Sequence, residues 1–122
     1  MNFSRSVIGV SAALLIFGAA FSSADAADYS PLDCKKASSP TERTICSDYG
    51  LGQSEARVAT LYGVTTSLVA MGQRGTIQDD QRIFLRQRDA CGSNTACLRA
   101  AYAARDKQLE AVMQSIQQRG PF

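Results

Sequence analysis

The chain of 122 residues contains no histidine. Histidine is the commonest general base in enzymes, and both the Ser-His-Asp and the Cys-His catalytic arrangements depend on it. No glycine-rich loop follows a strand pattern, so the sequence also lacks the usual cradle for a nucleotide cofactor. We therefore expect a protein that is not an enzyme, with no catalytic residues and no cofactor.

The carboxylates do not form a convincing catalytic pair. Asp79 and Asp80 are adjacent, and neighbouring positions on a helix diverge by about 100°. We interpret them as negative charge in the first turn of a helix, where the helix dipole favours it. Nothing in the sequence supports Asp48 with Glu55 as a glycosidase pair.

The first residues resemble an export signal. Arg5 precedes an apolar run, "VIGVSAALLIFGAAF", that ends at Phe21 and is shorter than the roughly 20 residues of a membrane-spanning helix. Ala24-Asp25-Ala26 fits the A-x-A pattern of a signal-peptidase site. The sequence predicts a signal peptide over residues 1–26 and one mature domain over residues 27–122, periplasmic or secreted and without a stable membrane span. The alternative is a short membrane anchor that is retained.

The chain has four cysteines, Cys34, Cys46, Cys91 and Cys97. In a short exported chain this number indicates two disulfides. A metal site is disfavoured because histidine and a CxxC motif are absent, and the lack of CxxC also disfavours a redox pair. Three pairings are open. We favour Cys34–Cys46 and Cys91–Cys97 because near neighbours meet more often, although loop entropy alone favours a long loop by about 1–2 kcal/mol.

Helical periodicity runs through the mature chain, and no segment alternates as a strand does. Ser39, Pro40 and Glu42 form a capping box at the start of a short first helix. A second helix is expected over about residues 53–71, because glycines at 50 and 52 loosen the backbone before it.

The segment "GQRG", residues 72–75, is predicted to separate the second and third helices. Thr76 caps the third helix in this interpretation, and Phe84 lies on its apolar face as a core residue. Asn94 or Thr95 opens the fourth helix. The predicted fold is an all-α, small, disulfide-stapled bundle of about four helices.

Several charged residues are candidates for contact with a partner. Arg82 and Arg86 are four apart and share one helix face, which suits an anionic partner or simply a solvated surface. Nucleic acid is not expected, since the formal net charge is only +2 and no aromatic series accompanies the basic residues. Carboxylates are the candidates for a cationic partner, namely Asp48, Glu55 and Asp89.

The segments "DCKKASSPTERTICSD" and "QRIFLRQRDACGSNTACL" together resemble the LprI-type lysozyme-inhibitor domain family of bacterial envelope proteins. The resemblance runs from Asp33 to about Leu109. Phe84 departs from it, since the family usually has tryptophan there, and Ser54-Glu55 replaces a usual Leu-Asp pair. The matching residues are Asp33-Cys34, Lys36-Ala37, Thr41, Glu42, Ile45-Cys46, Leu51, Tyr62, Gln81-Arg82, Leu85, Arg88-Asp89, Cys91 and Cys97-Leu98.

This resemblance implies an exported binding protein that inhibits lysozyme by occupying its substrate cleft. The partner would then be a lysozyme. The alternative is a non-catalytic structural or interaction protein of the envelope, whose partner is another envelope protein. The resemblance supplies no catalytic residues.

Overall fold

The structure, a computed structural model, describes residues 31–120. These residues form four α-helices and no strand, so the predicted all-α bundle is confirmed. The predicted signal peptide lies outside the described residues. The helices are α1 Pro40–Ser47, α2 Tyr49–Leu68, α3 Met71–Ala90 and α4 Thr95–Gln118.

Helix α1 begins as the sequence predicts. The Ser39 side chain accepts a hydrogen bond from the Glu42 backbone N–H, and the Glu42 carboxylate accepts one from the Ser39 N–H. Both bonds satisfy backbone donors that a helix start leaves without partners. Pro40 occupies the first turn, where its missing N–H costs nothing.

Helix α2 begins four residues before the predicted start. Asp48 is its N-cap, and the Asp48 side chain accepts from the Leu51 backbone N–H at 3.0 Å. Gly50 and Gly52 therefore lie inside the helix, against the prediction. Glycine weakens a helix by about 1 kcal/mol, but Leu51 is completely buried between the two, and burial of a leucine side chain contributes about 1.5–3 kcal/mol.

Helix α3 also begins earlier than predicted, at Met71 rather than after Thr76. The segment expected to be a connection, residues 72–75, is the first part of the helix. Asp79 and Asp80 are consequently two turns inside α3, so their interpretation as first-turn charge is wrong. The connection from α2 is shorter than predicted and consists of Val69, whose side chain is buried, and Ala70.

The three long helices run up, down and up. Contacts from α2 to α4 advance in the same direction along both helices, from Asp48–Arg99 to Arg57–Asp106, so these two helices are parallel. Helix α3 runs antiparallel to both and packs Phe84 against Tyr102 of α4. The core combines residues of all four helices: Ile45, Leu51, Val58, Tyr62, Val69, Ile77, Phe84, Leu98, Tyr102, Leu109 and Ile116.

Both disulfides form as predicted, Cys34–Cys46 and Cys91–Cys97, each with Cα atoms 5.6 Å apart. They lie at the same end of the bundle. The Thr41 hydroxyl of α1 donates to the Asp89 carbonyl at the end of α3. We call this region the stapled end; it consists of α1, Asp48 and Tyr49, the last residues of α3 from Asp89, the α3–α4 turn over residues 91–94 and the start of α4 as far as Arg99.

Candidate binding surface

The α3–α4 turn is the most constrained exposed segment of the stapled end. Cys91 closes α3, and Gly92 has a positive φ of 55°, a backbone conformation that favours glycine. The Asn94 side chain caps α4 by accepting from the Cys97 backbone N–H at 3.0 Å. The Cys91–Cys97 bond closes the same turn covalently. An exposed segment is therefore fixed at both of its ends.

Asp89 projects beside this turn. Its side chain is 58% exposed and accepts from Arg88 at 2.8 and 2.9 Å. Arg88 itself is buried. The carboxylate is thus anchored on one side by a buried cation and open to solvent on the other, which is a suitable arrangement for a partner contact.

Asp48 lies at the stapled end as well. One of its carboxylate oxygens caps α2, and the other accepts from Arg99 at 2.6 Å. The Leu51 backbone hydrogen bond, assisted by the positive charge of Arg99, lowers the pKa of the Asp48 carboxyl. Asp48 therefore remains ionised and links the start of α2 to Arg99 near the start of α4.

Glu55 is not a surface contact, and the prediction that placed it among the partner residues is wrong. Its side chain is 5% exposed and accepts from the Tyr102 hydroxyl at 2.5 Å and from the Leu32 N–H at 3.2 Å. Arg88 lies 3.6 Å away as an ionic partner. A buried carboxylate needs such partners because burial removes its hydration. Glu55 therefore links its own helix, α2, to α3, α4 and the segment before α1.

Arg82 and Arg86 are exposed on α3, as predicted, but they are not part of the stapled turn. Arg82 forms an ion pair with Asp79 on the same helix. It precedes Ala90 by eight residues, which is about 12 Å along a helix. Arg86 lies four residues closer to the stapled end than Arg82, about one turn or 6 Å along the helix, so of the two it is the better placed for contact.

Two residues of the stapled end, Tyr49 and Arg99, were not predicted as contact residues from the sequence. Tyr49 is 82% exposed, and its hydroxyl accepts from the Gln53 amide. Arg99 is exposed near the start of α4 and pairs with Asp48. The signal for Tyr49 was its position directly after an N-cap aspartate, which places an aromatic side chain at the outer end of a helix.

Among the grooves on the surface of residues 31–120, two lie along α4. One lies between α2 and α4 and encloses about 220 Å³, and the other lies between α3 and α4 and encloses about 80 Å³. Typical pockets for drug-sized ligands measure about 300–1,000 Å³. These grooves fit at most a single side chain or a very small molecule.

No helix among residues 31–120 has the length and apolar character to cross a membrane. Within the same residues, no three His, Cys, Asp or Glu side chains come together as a metal site would require.

No protein-family model, curated protein or solved structure matches the chain. The resemblance to the LprI-type family therefore stays a prediction from the cysteine-bearing segments. The two disulfides are typical of a protein from an oxidising compartment, such as the periplasm or the extracellular space.

Proposed function

We propose that this chain is an exported binding protein that inhibits a lysozyme by placing its stapled end in the substrate cleft. The identity of the target comes from the resemblance of the cysteine-bearing segments to the LprI-type family. One structural observation supports a binding role: both disulfides and the exposed Tyr49 lie at the same end of the bundle.

Cross-links at one end favour binding at that end. Association costs free energy when loops and side chains become ordered, and a segment that is already rigid avoids much of that cost. The α3–α4 turn is held by Cys91–Cys97 and by the Asn94 cap. It therefore enters a cleft without first having to order its backbone.

Tyr49 supplies the type of side chain that dominates protein interfaces. Tyrosine is enriched among the few residues that carry most of the binding energy. At 82% exposure, Tyr49 contributes little to the core of the free protein. Its apolar ring is available to be buried by a partner, and its hydroxyl is held by Gln53.

The charges of the stapled end suit a cationic target. The chain as a whole has a formal charge of +2, so long-range attraction to a cationic lysozyme is absent. Asp48 and Asp89 provide local negative charge, since each is anchored by an arginine and partly exposed. Charged groups of this kind contribute more to the choice of partner than to the affinity for it.

The second candidate is a non-catalytic interaction protein of the envelope. It is favoured by exposed apolar side chains at the other end of the bundle, Val64 and Leu68 on α2 and Met71 at the start of α3. Exposed apolar residues that lie together indicate a protein contact when they form a large patch. The two candidates use opposite ends of the molecule, so variants separate them.

The test is the rate at which lysozymes of different classes lyse cell walls in the presence of the mature, oxidised protein. We expect dose-dependent slowing, weakened by Tyr49→Ala and by Asp89→Lys. Arg119→Glu is the matched control, because Arg119 lies at the opposite end and is exposed. Full lysis rates with every class at excess protein would rule out inhibition. Loss of inhibition in Leu68→Ser but not in Tyr49→Ala would assign binding to the opposite end.

A further inference from the structure

The end of the bundle opposite the stapled end exposes apolar side chains. Met71 is 79% exposed, Leu68 45% and Val64 38%. Leu68 follows Val64 by four residues and so shares its helix face, and Met71 begins α3 directly after the two-residue connection from α2. The last turn of α4 lies at the same end, because α2 and α4 are parallel. We call this region, residues 64–76 and 114–120, the apolar end.

Every charged side chain of the apolar end is positive. Arg74 is the only charged residue between positions 58 and 78, and Arg119 is the only one after position 110. Neither arginine forms an ion pair among residues 31–120. Nearer the middle of the bundle, by contrast, Arg57 pairs with Asp106. The apolar end therefore carries positive charge that no carboxylate of the described residues neutralises.

Both guanidinium groups lie close to the exposed apolar side chains. Arg74 Nη2 donates to the Val69 carbonyl in the α2–α3 connection at 3.4 Å. Arg119 Nη1 donates to the Gln73 side-chain oxygen in the first turn of α3 at 3.5 Å, so the end of α4 lies within one turn of Met71. The other exposed residues of the α2–α3 corner are small and uncharged, namely Ser67, Ala70, Gly72 and Thr76.

A surface that combines exposed apolar side chains with unneutralised cations suits an anionic lipid bilayer. Apolar side chains leave water at the boundary between headgroups and acyl chains, and the negative surface potential attracts each arginine. A second copy of the chain fits less well, since two such ends would bring four arginines together without a carboxylate. We propose that the apolar end docks on an anionic lipid bilayer, with Leu68 and Met71 in the interface and Arg74 and Arg119 at the headgroups.

Docking at the apolar end leaves the stapled end accessible. Helix α2 has 20 residues and runs from the stapled end to the apolar end, a distance of about 30 Å. The exposed Tyr49 then lies about 30 Å from the lipid surface. The proposal does not depend on lysozyme inhibition, because the two ends share no residue and either activity can fail while the other holds.

The first test is cosedimentation of the mature, oxidised protein with vesicles of phosphatidylcholine, with or without phosphatidylglycerol. We expect weak, reversible binding to the anionic vesicles, at or below the ~10⁴ M⁻¹ of a single myristoyl anchor. Two arginines at about fivefold each give a preference of about 25-fold over neutral vesicles. High salt should remove this preference, because it screens the surface charge. Equal binding to both kinds of vesicle, or binding to neither, would overturn the proposal.

Two variants separate the apolar contribution from the electrostatic one. Leu68→Ser and Arg119→Glu should each weaken binding to anionic vesicles by about fivefold or more. Ile83→Ser is the control for Leu68→Ser, since Ile83 is 44% exposed but lies on α3 outside the apolar end. Arg86→Glu is the control for Arg119→Glu, because it changes the net charge equally. Equal losses in a variant and its control would show that binding does not use this end.

A fluorescent reporter tests the contact itself. The chain has no tryptophan, so Met71→Trp places a single one at the apolar end. Its emission should shift to shorter wavelength with anionic vesicles and be quenched by lipids brominated in their acyl chains, whereas Ile83→Trp should show neither effect. Emission of Met71→Trp that vesicles leave unchanged would overturn the proposal. A vesicle-free dimer that Met71→Ser dissociates would then assign the apolar end to a second copy.

Discussion

The hydroxyl of Tyr102 donates a hydrogen bond to Glu55 at 2.5 Å inside the bundle, between residues 47 apart in sequence. This bond joins α2 to α4 through a carboxylate that also accepts from Leu32. Arg88 of α3 completes the environment at 3.6 Å. One buried carboxylate therefore connects all three long helices with the segment before α1.

The variant Tyr102→Phe tests the strength of that connection. It removes one bond to a buried charged acceptor while keeping the aromatic ring, so we expect a loss of about 1.5–3 kcal/mol in the free energy of unfolding. Urea unfolding measures it. Tyr49→Phe is the control, since Tyr49 is exposed and its change should stay within about 0.5 kcal/mol. Equal stability of the two variants would mean that the buried bond contributes nothing.

Phe84 occupies the core, as predicted, with 3% exposure and its ring centroid 5.3 Å from that of Tyr102. Phe84→Ala should lower the free energy of unfolding by about 3–5 kcal/mol, because it removes buried surface and leaves a cavity. Thermal or urea unfolding provides the measurement. Ile83→Ala, at the exposed neighbouring position, should cost far less. A melting temperature unchanged by Phe84→Ala would contradict the burial.

The two disulfides lead to one prediction about which cysteines are linked and one about the free energy of unfolding. Peptide mapping without reductant should recover Cys34 linked to Cys46 and Cys91 linked to Cys97. Replacing either pair by serines should cost about 2–3 kcal/mol, because each bond closes a short loop in the unfolded chain. A peptide that joins Cys34 to Cys91 or Cys97 would contradict the pairing seen here.

The hydrogen bonds of the Glu42 carboxylate predict that the stability of the fold depends on pH. Backbone hydrogen bonds from Ser38 and then Ser39 hold the pKa of its carboxyl below the usual range. A depressed pKa means that the charged form stabilises the fold above the unfolded-state pKa and that this contribution is lost as the pH falls through the folded-state pKa. Wild type should therefore exceed Glu42→Gln in stability near neutral pH and converge with it in acid. A difference that does not change with pH would show that charge is not involved.

If the chain is exported with a cleaved signal peptide, the mature protein should lack the first 26 residues. The apolar run that ends at Phe21 and the Ala24-Asp25-Ala26 pattern indicate cleavage after Ala26. Mass spectrometry of protein recovered from the periplasm or the medium should find Ala27 at the start of the chain. Recovery of mature protein that still begins at Met1 would contradict export by cleavage.

Local interactions made several features predictable from sequence. The Ser39–Glu42 capping box and the Asn94 cap involve residues three apart, so their signals lie within one turn. The same holds for the apolar stripe that contains Phe84. The local disulfide pairing was predictable for a related reason, since cysteines close in sequence meet often while the chain is still unfolded.

The helix starts of α2 and α3 were not predictable, because they depend on burial elsewhere. Glycines at positions 50, 52, 72 and 75 weaken a helix locally. The sequence therefore predicted that the helices would be interrupted at these glycines. The burial of Leu51 in α2 and of Ile77 in α3 outweighs that tendency. Tertiary contacts decide such cases because they contribute more free energy than propensity does.

The sequence by itself thus determined an all-α, disulfide-linked domain and the local chemistry of its helix ends. Only the tertiary structure decided which charges are buried: Glu55 and Arg105 read as ordinary polar residues in sequence, yet each lies in the core. A charge can be buried only where another part of the chain supplies its partners. For Glu55 those partners are Arg88 and Tyr102, which lie 33 and 47 residues away in the sequence. A local sequence pattern cannot indicate contacts between residues so far apart.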